Sequence, residues 1–290
     1  MNILWSTYVQ KEETLYQSRA LRFANRFREK YTNAFGIDEK SRILEIGCGP
    51  GALSEALTRW YPDATVIGTD RDTQFISFAK KKSPHITFLE EDATALSFDD
   101  ESFDVTISNT VSEHIEPEKF YGEQYRILKK GGICLVLSAR RGIEHRAPCV
   151  AAQSDFEKEI WKRTEKICME ADKENAVCAY PKNEMEMPHL MQQYGFQNVS
   201  TEFITINLAP DNPCYDAETA HRIINMSRTV ALDGVDVLSN TVGSMVSEDE
   251  LCEMRRQIHA RYDERLRLYD AHIPQWDTYM SLTMILRGEK

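Results

Sequence analysis

Residues 41–57 read S-R-I-L-E-I-G-C-G-P-G-A-L-S-E-A-L and residues 66–72 read V-I-G-T-D-R-D. The pattern predicts a short buried strand over Arg42 to Ile46 and a tight turn through Gly47, Cys48, Gly49, Pro50 and Gly51. A helix follows over Ala52 to Trp60, with Leu53, Ala56, Leu57 and Trp60 on one face. A strand reversing into a helix needs unusual φ/ψ, and a missing Cβ lets a ligand lie on the backbone, so glycine suits this turn on both counts. The next strand, Thr65 to Thr69, runs into Asp70, whose carboxylate is placed to accept both hydroxyls of a ribose. Together these features describe an adenosine-binding α/β crevice.

Outward from that unit, strand and helix keep alternating. Gln74 to Lys81 reads as a helix, Ile86 to Glu90 as a third strand, Phe103 to Ser108 as a buried fourth, Pro117 to Leu128 as a helix and Ile133 to Ala139 as a fifth strand. Short turns between such segments imply parallel pairing through right-handed crossovers. Gly47, Gly49 and Ala52 fit G-x-G-x-x-G/A, with Asp70 about 20 residues further on, so a dinucleotide site is one reading.

The fuller string is more specific. E-I-G-C-G-P-G (45–51), L-E-E-D-A (89–93), F-D-V-T-I-S-N (103–109) with E-H-I (113–115), and R-I-L-K-K-G-G (126–132) occur in order. This series resembles the motifs of class I S-adenosylmethionine (AdoMet)-dependent methyltransferases, in which the third glycine is here Gly51. The resemblance implies AdoMet as cofactor and assigns roles position by position. The backbone of Gly47, Cys48 and Gly49 would face the methionine part, with Glu45 beneath it orienting the loop or the ammonium group. Asp70 would take the ribose hydroxyls and Arg71 the flank of the adenine. Asp92 would accept from the adenine amino group, with Ala93 offering its N–H. Asn109 and Thr110 would lie by the transferable methyl.

The resemblance also implies a Rossmann-like, doubly wound, mostly parallel seven-stranded sheet with an antiparallel last strand. G-F-Q-N-V (195–199) matches the approach to the sixth strand and Trp276 to Arg287 the seventh. Four regions are expected: an N-terminal helical cap (1–40), a core (41–210), a helical insertion or lid (211–275) and the last strand (276–290). In the cap, Glu12 to Tyr31 reads as one helix, with Tyr16, Ala20, Phe23, Ala24, Phe27 and Tyr31 inward and Arg19, Arg22, Arg26 and Arg28 on a solvated face. Asp155 to Asn175 is helical and Met187 to Gly195 a short helix. In the insertion, Ser247-Glu248-Asp249-Glu250 is a capping box opening a helix striped by Leu251, Met254, Ile258, Tyr262, Leu266 and Tyr269.

Composition sets outer bounds. The 290 residues are 42% hydrophobic and 28% charged, enough for a sizeable core. The net charge of −11 argues against sequence-independent binding to nucleic acid. No window resembles a membrane-spanning helix and residues 1–10 lack a basic-then-apolar leader pattern. Seven scattered cysteines without C-x-x-C suit reduced thiols, so a cytoplasmic protein without a metal site is expected.

Methyl transfer from a sulfonium is an in-line displacement that needs no covalent nucleophile, only an acceptor held close and in line with water kept out. A general base is needed only for a protonated acceptor. His114 is the best-placed candidate, with a structural hydrogen-bonding role as the alternative, and Glu113 is similarly ambiguous. Tyr8 or Tyr16 would reach the site if the N-terminal helix covers the cofactor. Met185, Met187 and Met191 form either an adaptable pocket or ordinary packing. The reading is therefore a methyltransferase acting on a small molecule, with a homodimer possible. Its rivals are a nicotinamide-dependent oxidoreductase, a non-catalytic AdoMet-binding protein, and a methyltransferase acting on RNA or protein.

Overall fold

The computed structural model describes residues 5–139 and 149–290, and the backbone of 145–146. Its centre is a sheet in the order β3-β2-β1-β4-β5-β8, with β7 on the outer side of β8. The strands are β1 (Arg42–Ile46), β2 (Thr65–Asp70), β3 (Thr87–Glu90), β4 (Phe103–Asn109) and β5 (Leu128–Ala139). After them come the two-residue β6 (His145–Arg146), β7 (Gln197–Leu208) and β8 (Tyr279–Glu289). Strands β1 to β5 are parallel, β8 runs antiparallel to β5, and β7 runs antiparallel to β8. The expected doubly wound sheet of seven strands is present, and β6 adds a short extension against the start of β8.

The helices are α1 (Trp5–Tyr8), α2 (Glu12–Arg22), α3 (Arg28–Phe35), α4 (Ala52–Trp60), α5 (Thr73–Lys82), α6 (Pro117–Ile127), α7 (Asp155–Glu174), α8 (Glu186–Gln193), α9 (Ala217–Val242) and α10 (Glu248–Asp270). Ile43, Leu44, Val105, Ile107, Leu135 and Leu137 are all buried, because helices cover both faces of the parallel strands.

Two expectations are corrected. The single helix over 12–31 is broken after Arg22: Ala24 turns extended at φ −65°, ψ 150°, and a short 3₁₀ turn precedes α3. The break lets α4 supply hydrogen bonds, from Arg59 to the Phe23 carbonyl (3.2 Å) and from the Trp60 indole to Asn25 (3.2 Å). It also lets Tyr31 stack on Trp60 at 5.3 Å. Strand β5 begins at Leu128 rather than Ile133, with its register shifted around the K-K-G-G turn.

Between β7 and β8 lie two long helices, of which the sequence pattern marks only the second. Besides α10, whose capping box is formed, the 26-residue α9 is capped by Asp216. Together α7, α9 and α10 bury a core of their own that includes Ile160, Ile224, Val235, Leu238, Met254 and Ile258. Arg265, fully buried, bridges Asp211 (2.8 Å) at the start of this segment and Asp277 (2.8 Å) at its end.

Candidate functional site

The glycine turn is fixed by backbone bonds to β2. Cys48 N–H donates to the Thr69 carbonyl (2.8 Å) and Gly51 N–H to the Cys48 carbonyl (3.0 Å). Gly47 and Gly51 have φ of 67° and 88°, in the left-handed region. A Cβ on Gly47 would sit 2.4 Å from Val111, and one on Gly51 2.8 Å from Phe88, so both positions exclude a side chain by space as well as conformation.

Asp70 closes the turn. One carboxylate oxygen accepts Gly49 N–H (2.8 Å) and the other Asp72 N–H (2.9 Å). A carboxylate offers about four lone-pair sites, so capacity for two further donors remains. Burial pushes its pKa above the usual range, opposed by those two backbone donors. Arg71 is exposed beside it, close enough to Asp92 to help lower that acid, whose main stabilisers are the backbone and hydroxyl of Thr94 (2.8 and 2.7 Å). Ala93 follows Asp92 in this turn after β3, so Asp70, Arg71, Asp92 and Ala93 stand along the carboxyl ends of β2 and β3.

Glu45 points away from the solvent and into the protein. It accepts a hydrogen bond from the Ser54 hydroxyl on α4, which ties β1 to the helix after the glycine turn. Burial raises its pKa to about 8, the Ser54 hydrogen bonds oppose that shift, and the negative charge of Asp70 adds to it.

At the end of β4, Asn109 is half-buried and Thr110 takes φ of 57°, an outlier for a β-branched residue. Thr110 is held by its N–H to the Leu137 carbonyl (2.8 Å) and by Arg19, whose guanidinium donates to its hydroxyl (3.2 Å). Arg19 is thus not on a solvated face; it reaches inward from α2. This was not legible from sequence, because the contact spans 91 residues and a basic helix face reads as solvent-facing.

His114 lies on the Ser112–His114 turn. Its Nδ1 accepts the Cys178 N–H (2.9 Å) and its ring meets Trp5 edge-on at 4.6 Å. With Nδ1 accepting, a neutral ring carries its proton on Nε2, which suits a hydrogen-bonding role better than that of a base. Tyr8 reaches Asp172 on α7 (3.5 Å), and Tyr16 donates to Glu55 on α4. Beside this turn is a cavity of about 350 Å³, lined by Glu113, Tyr121, Ser138, Cys178, Tyr180, Met187 and Leu190 among others. It opens at the carboxyl ends of β4 and β5, where open α/β sheets bind ligands. Of the three methionines singled out, Met187 lines it, Met191 is core and Met185 is exposed. Among the described residues no cluster of metal-ligating side chains is present, and no helix is long and apolar enough to cross a membrane.

Comparison with known proteins agrees with this geometry. A family model described as a methyltransferase domain matches residues 44–136. A demethylmenaquinone methyltransferase of Renibacterium salmoninarum is 37% identical over 114 residues, 38% of this chain and 46% of that protein. A fatty-acid O-methyltransferase of Mycolicibacterium smegmatis is 35% identical over 106 residues, 35% of this chain and 38% of its own length. The match therefore spans less than half of either relative. Among solved structures, Haemonchus contortus phosphoethanolamine N-methyltransferase 2 in complex with S-adenosyl-L-methionine superposes with a TM-score of 0.52 at 16% identity. That superposition covers 99% of this chain and 59% of the other, and indicates a shared fold.

Proposed function

We propose that this chain, which carries a class I methyltransferase domain over residues 44–136, transfers a methyl group from AdoMet to a small-molecule acceptor. The observation that carries the reading is that the glycine turn is held by Asp70 at the carboxyl end of β2, with Asp92 in the turn after β3, along one end of the parallel sheet. The cofactor would supply the electrophilic methyl. The residues supporting its binding are Glu45, Gly47, Cys48, Gly49 and Gly51 around the turn, Asp70 and Arg71 at the sugar and base, Asp92 and Ala93 at the adenine edge, and Asn109 and Thr110 near the methyl. A side-chain-free Gly47 backed by Val111 lets the methionine part approach the backbone.

The cavity size favours a small molecule, since about 300–1,000 Å³ is typical of such sites. The two curated relatives are named for quinone and fatty-acid acceptors, which supports a partly apolar acceptor here, in keeping with Tyr121, Met187 and Leu190 in the lining. The helical segment 211–275 would act as a lid by way of α2, which it covers through α9. A homodimer is compatible with this reading.

The test is incubation with methyl-labelled AdoMet and a fractionated metabolite extract, with parallel calorimetric titrations of AdoMet and NADH. Label transfer together with AdoMet binding is the expected result. NADH binding without AdoMet binding would make the protein an oxidoreductase, and AdoMet binding without transfer to any fraction would make it a non-catalytic binder.

A further inference from the structure

We infer that the acceptor carries an anionic group, a carboxylate or a phosphate, held by the paired guanidinium groups of Arg19 and Arg22 beside the point of methyl transfer. The inference rests on the methyltransferase reading and names the substrate class of that site.

Residues three apart on a helix share a face, so Arg19 and Arg22 project together from the last turn of α2. Arg19 donates to the Thr110 hydroxyl (3.2 Å) at the tip of β4. Arg22 donates to the Tyr279 hydroxyl (2.7 Å) at the start of β8, its guanidinium carbon 5.2 Å from the ring centroid. Among the described residues neither arginine forms an ion pair, and the Nε of Arg22 is buried without a hydrogen-bond partner. Glu113 is near enough to favour the charge on Arg19 but forms no ion pair with it. Burial and the neighbouring charge of Arg22 bring Arg19 down to about 10, so it remains cationic at neutral pH.

Elsewhere in the molecule inward-facing arginines are met by acids: Arg265 by Asp211 and Asp277, Arg261 by Glu157, Arg126 by Glu123. Two adjacent, half-buried cations without such a partner are unfavourable until an anion joins them. A guanidinium fork fits a planar carboxylate or a phosphate through paired N–H donors.

The position indicates whose anion it is. Asp70 and Asp92, assigned to the adenosine, stand on the β2 and β3 half of the sheet. Thr110 directly follows β4 and Tyr279 opens β8, on the other half of the sheet. The arginine pair therefore spans from the methyl position toward the acceptor side.

Two measurements test this. The first is the melting temperature with S-adenosylhomocysteine present, in rising inorganic phosphate against chloride at matched ionic strength. Phosphate should stabilise the wild type beyond chloride, and Arg22→Gln should lose that difference; equal effects of both salts on the wild type would overturn the inference. The second is transfer of label from AdoMet to an extract split by anion exchange before the reaction. Transfer should occur in the retained, anionic fraction, fall roughly tenfold or more in Arg22→Gln and recover in part in Arg22→Lys. Transfer confined to the neutral or cationic fractions would overturn the inference.

Titration with decarboxylated AdoMet separates the other source of a carboxylate. If Arg22→Gln weakens AdoMet but leaves the decarboxylated form unaffected, the pair holds the cofactor's methionine and the inference fails. Absence of AdoMet binding by the wild type would instead remove the methyltransferase reading beneath it.

Discussion

Glu45 shows how a single buried group sets a pH dependence. Its folded pKa of about 8 lies above its ordinary value of 4.5, so between those limits the folded protein holds a proton that the unfolded chain releases. Stability therefore falls as pH rises through that window and levels off above it. Glu45→Gln keeps the shape and can still accept from Ser54, but does not titrate. Urea melts should show the variant gaining on the wild type from pH 5 to pH 8, by as much as about 3–4 kcal/mol. A constant difference across that range would mean that Glu45 is not the buried acid described here. Arg265 gives a second test: loss of its guanidinium leaves Asp211 buried without its main partner. Arg265→Ala should cost about 3–5 kcal/mol in the same melts, and a loss below about 1 kcal/mol would show that the bridge is not a stabilising one. The acids of the candidate site were legible because they sit inside contiguous motifs. Arg19, Val111 and Cys178 were not, because their roles arise from contacts between segments far apart in sequence.

Among the elements, β1 through β4 and α4 through α6 follow their sequence pattern closely, since each of these parallel strands is short with an apolar centre and each helix has one apolar stripe. Helix α9 is where pattern reading fails. Its core residues Ala220, Ile223, Ile224, Val235 and Leu238 are interleaved with Thr219, Ser227, Thr229, Gly234 and Thr241, which weaken local helix preference. Packing against α7 and α10 decides its conformation. Helix α10 is the opposite case, announced by its capping box: Ser247 accepts from Glu250 N–H (3.3 Å) and Glu250 from Ser247 N–H (2.8 Å). Ser247→Ala should cost about 1 kcal/mol of stability, read as a lower urea midpoint. The division of α2 from α3 illustrates a further limit, because hydrophobic spacing continues across a break whose cause is hydrogen bonding by Arg59 and Trp60.

At the scale of the molecule, the N-terminal segment is a clamp between the sheet domain and the helical layer. Ser6 holds α1 to Asp72 through its N–H (2.8 Å) and hydroxyl (3.0 Å), while Trp5 covers His114. Helix α2 packs against α4 and α5 on one side and α9 on the other. AdoMet bound at Asp70 would thus lie next to α1 and α2. Hydrogen exchange should slow in residues 5–22 when AdoMet binds and stay unchanged in the middle of α10; equal slowing everywhere would argue against a local clamp. The central claim, an adenosyl sulfonium gripped by the glycine turn and Asp70, is tested most directly by calorimetric titration of AdoMet into the wild type and Asp70→Ala. Loss of a charge-assisted hydrogen bond worth roughly 1.5–3 kcal/mol should weaken binding by about 10- to 100-fold in a variant that still melts cooperatively. Equal affinity in the two proteins, or no binding by the wild type, would contradict it.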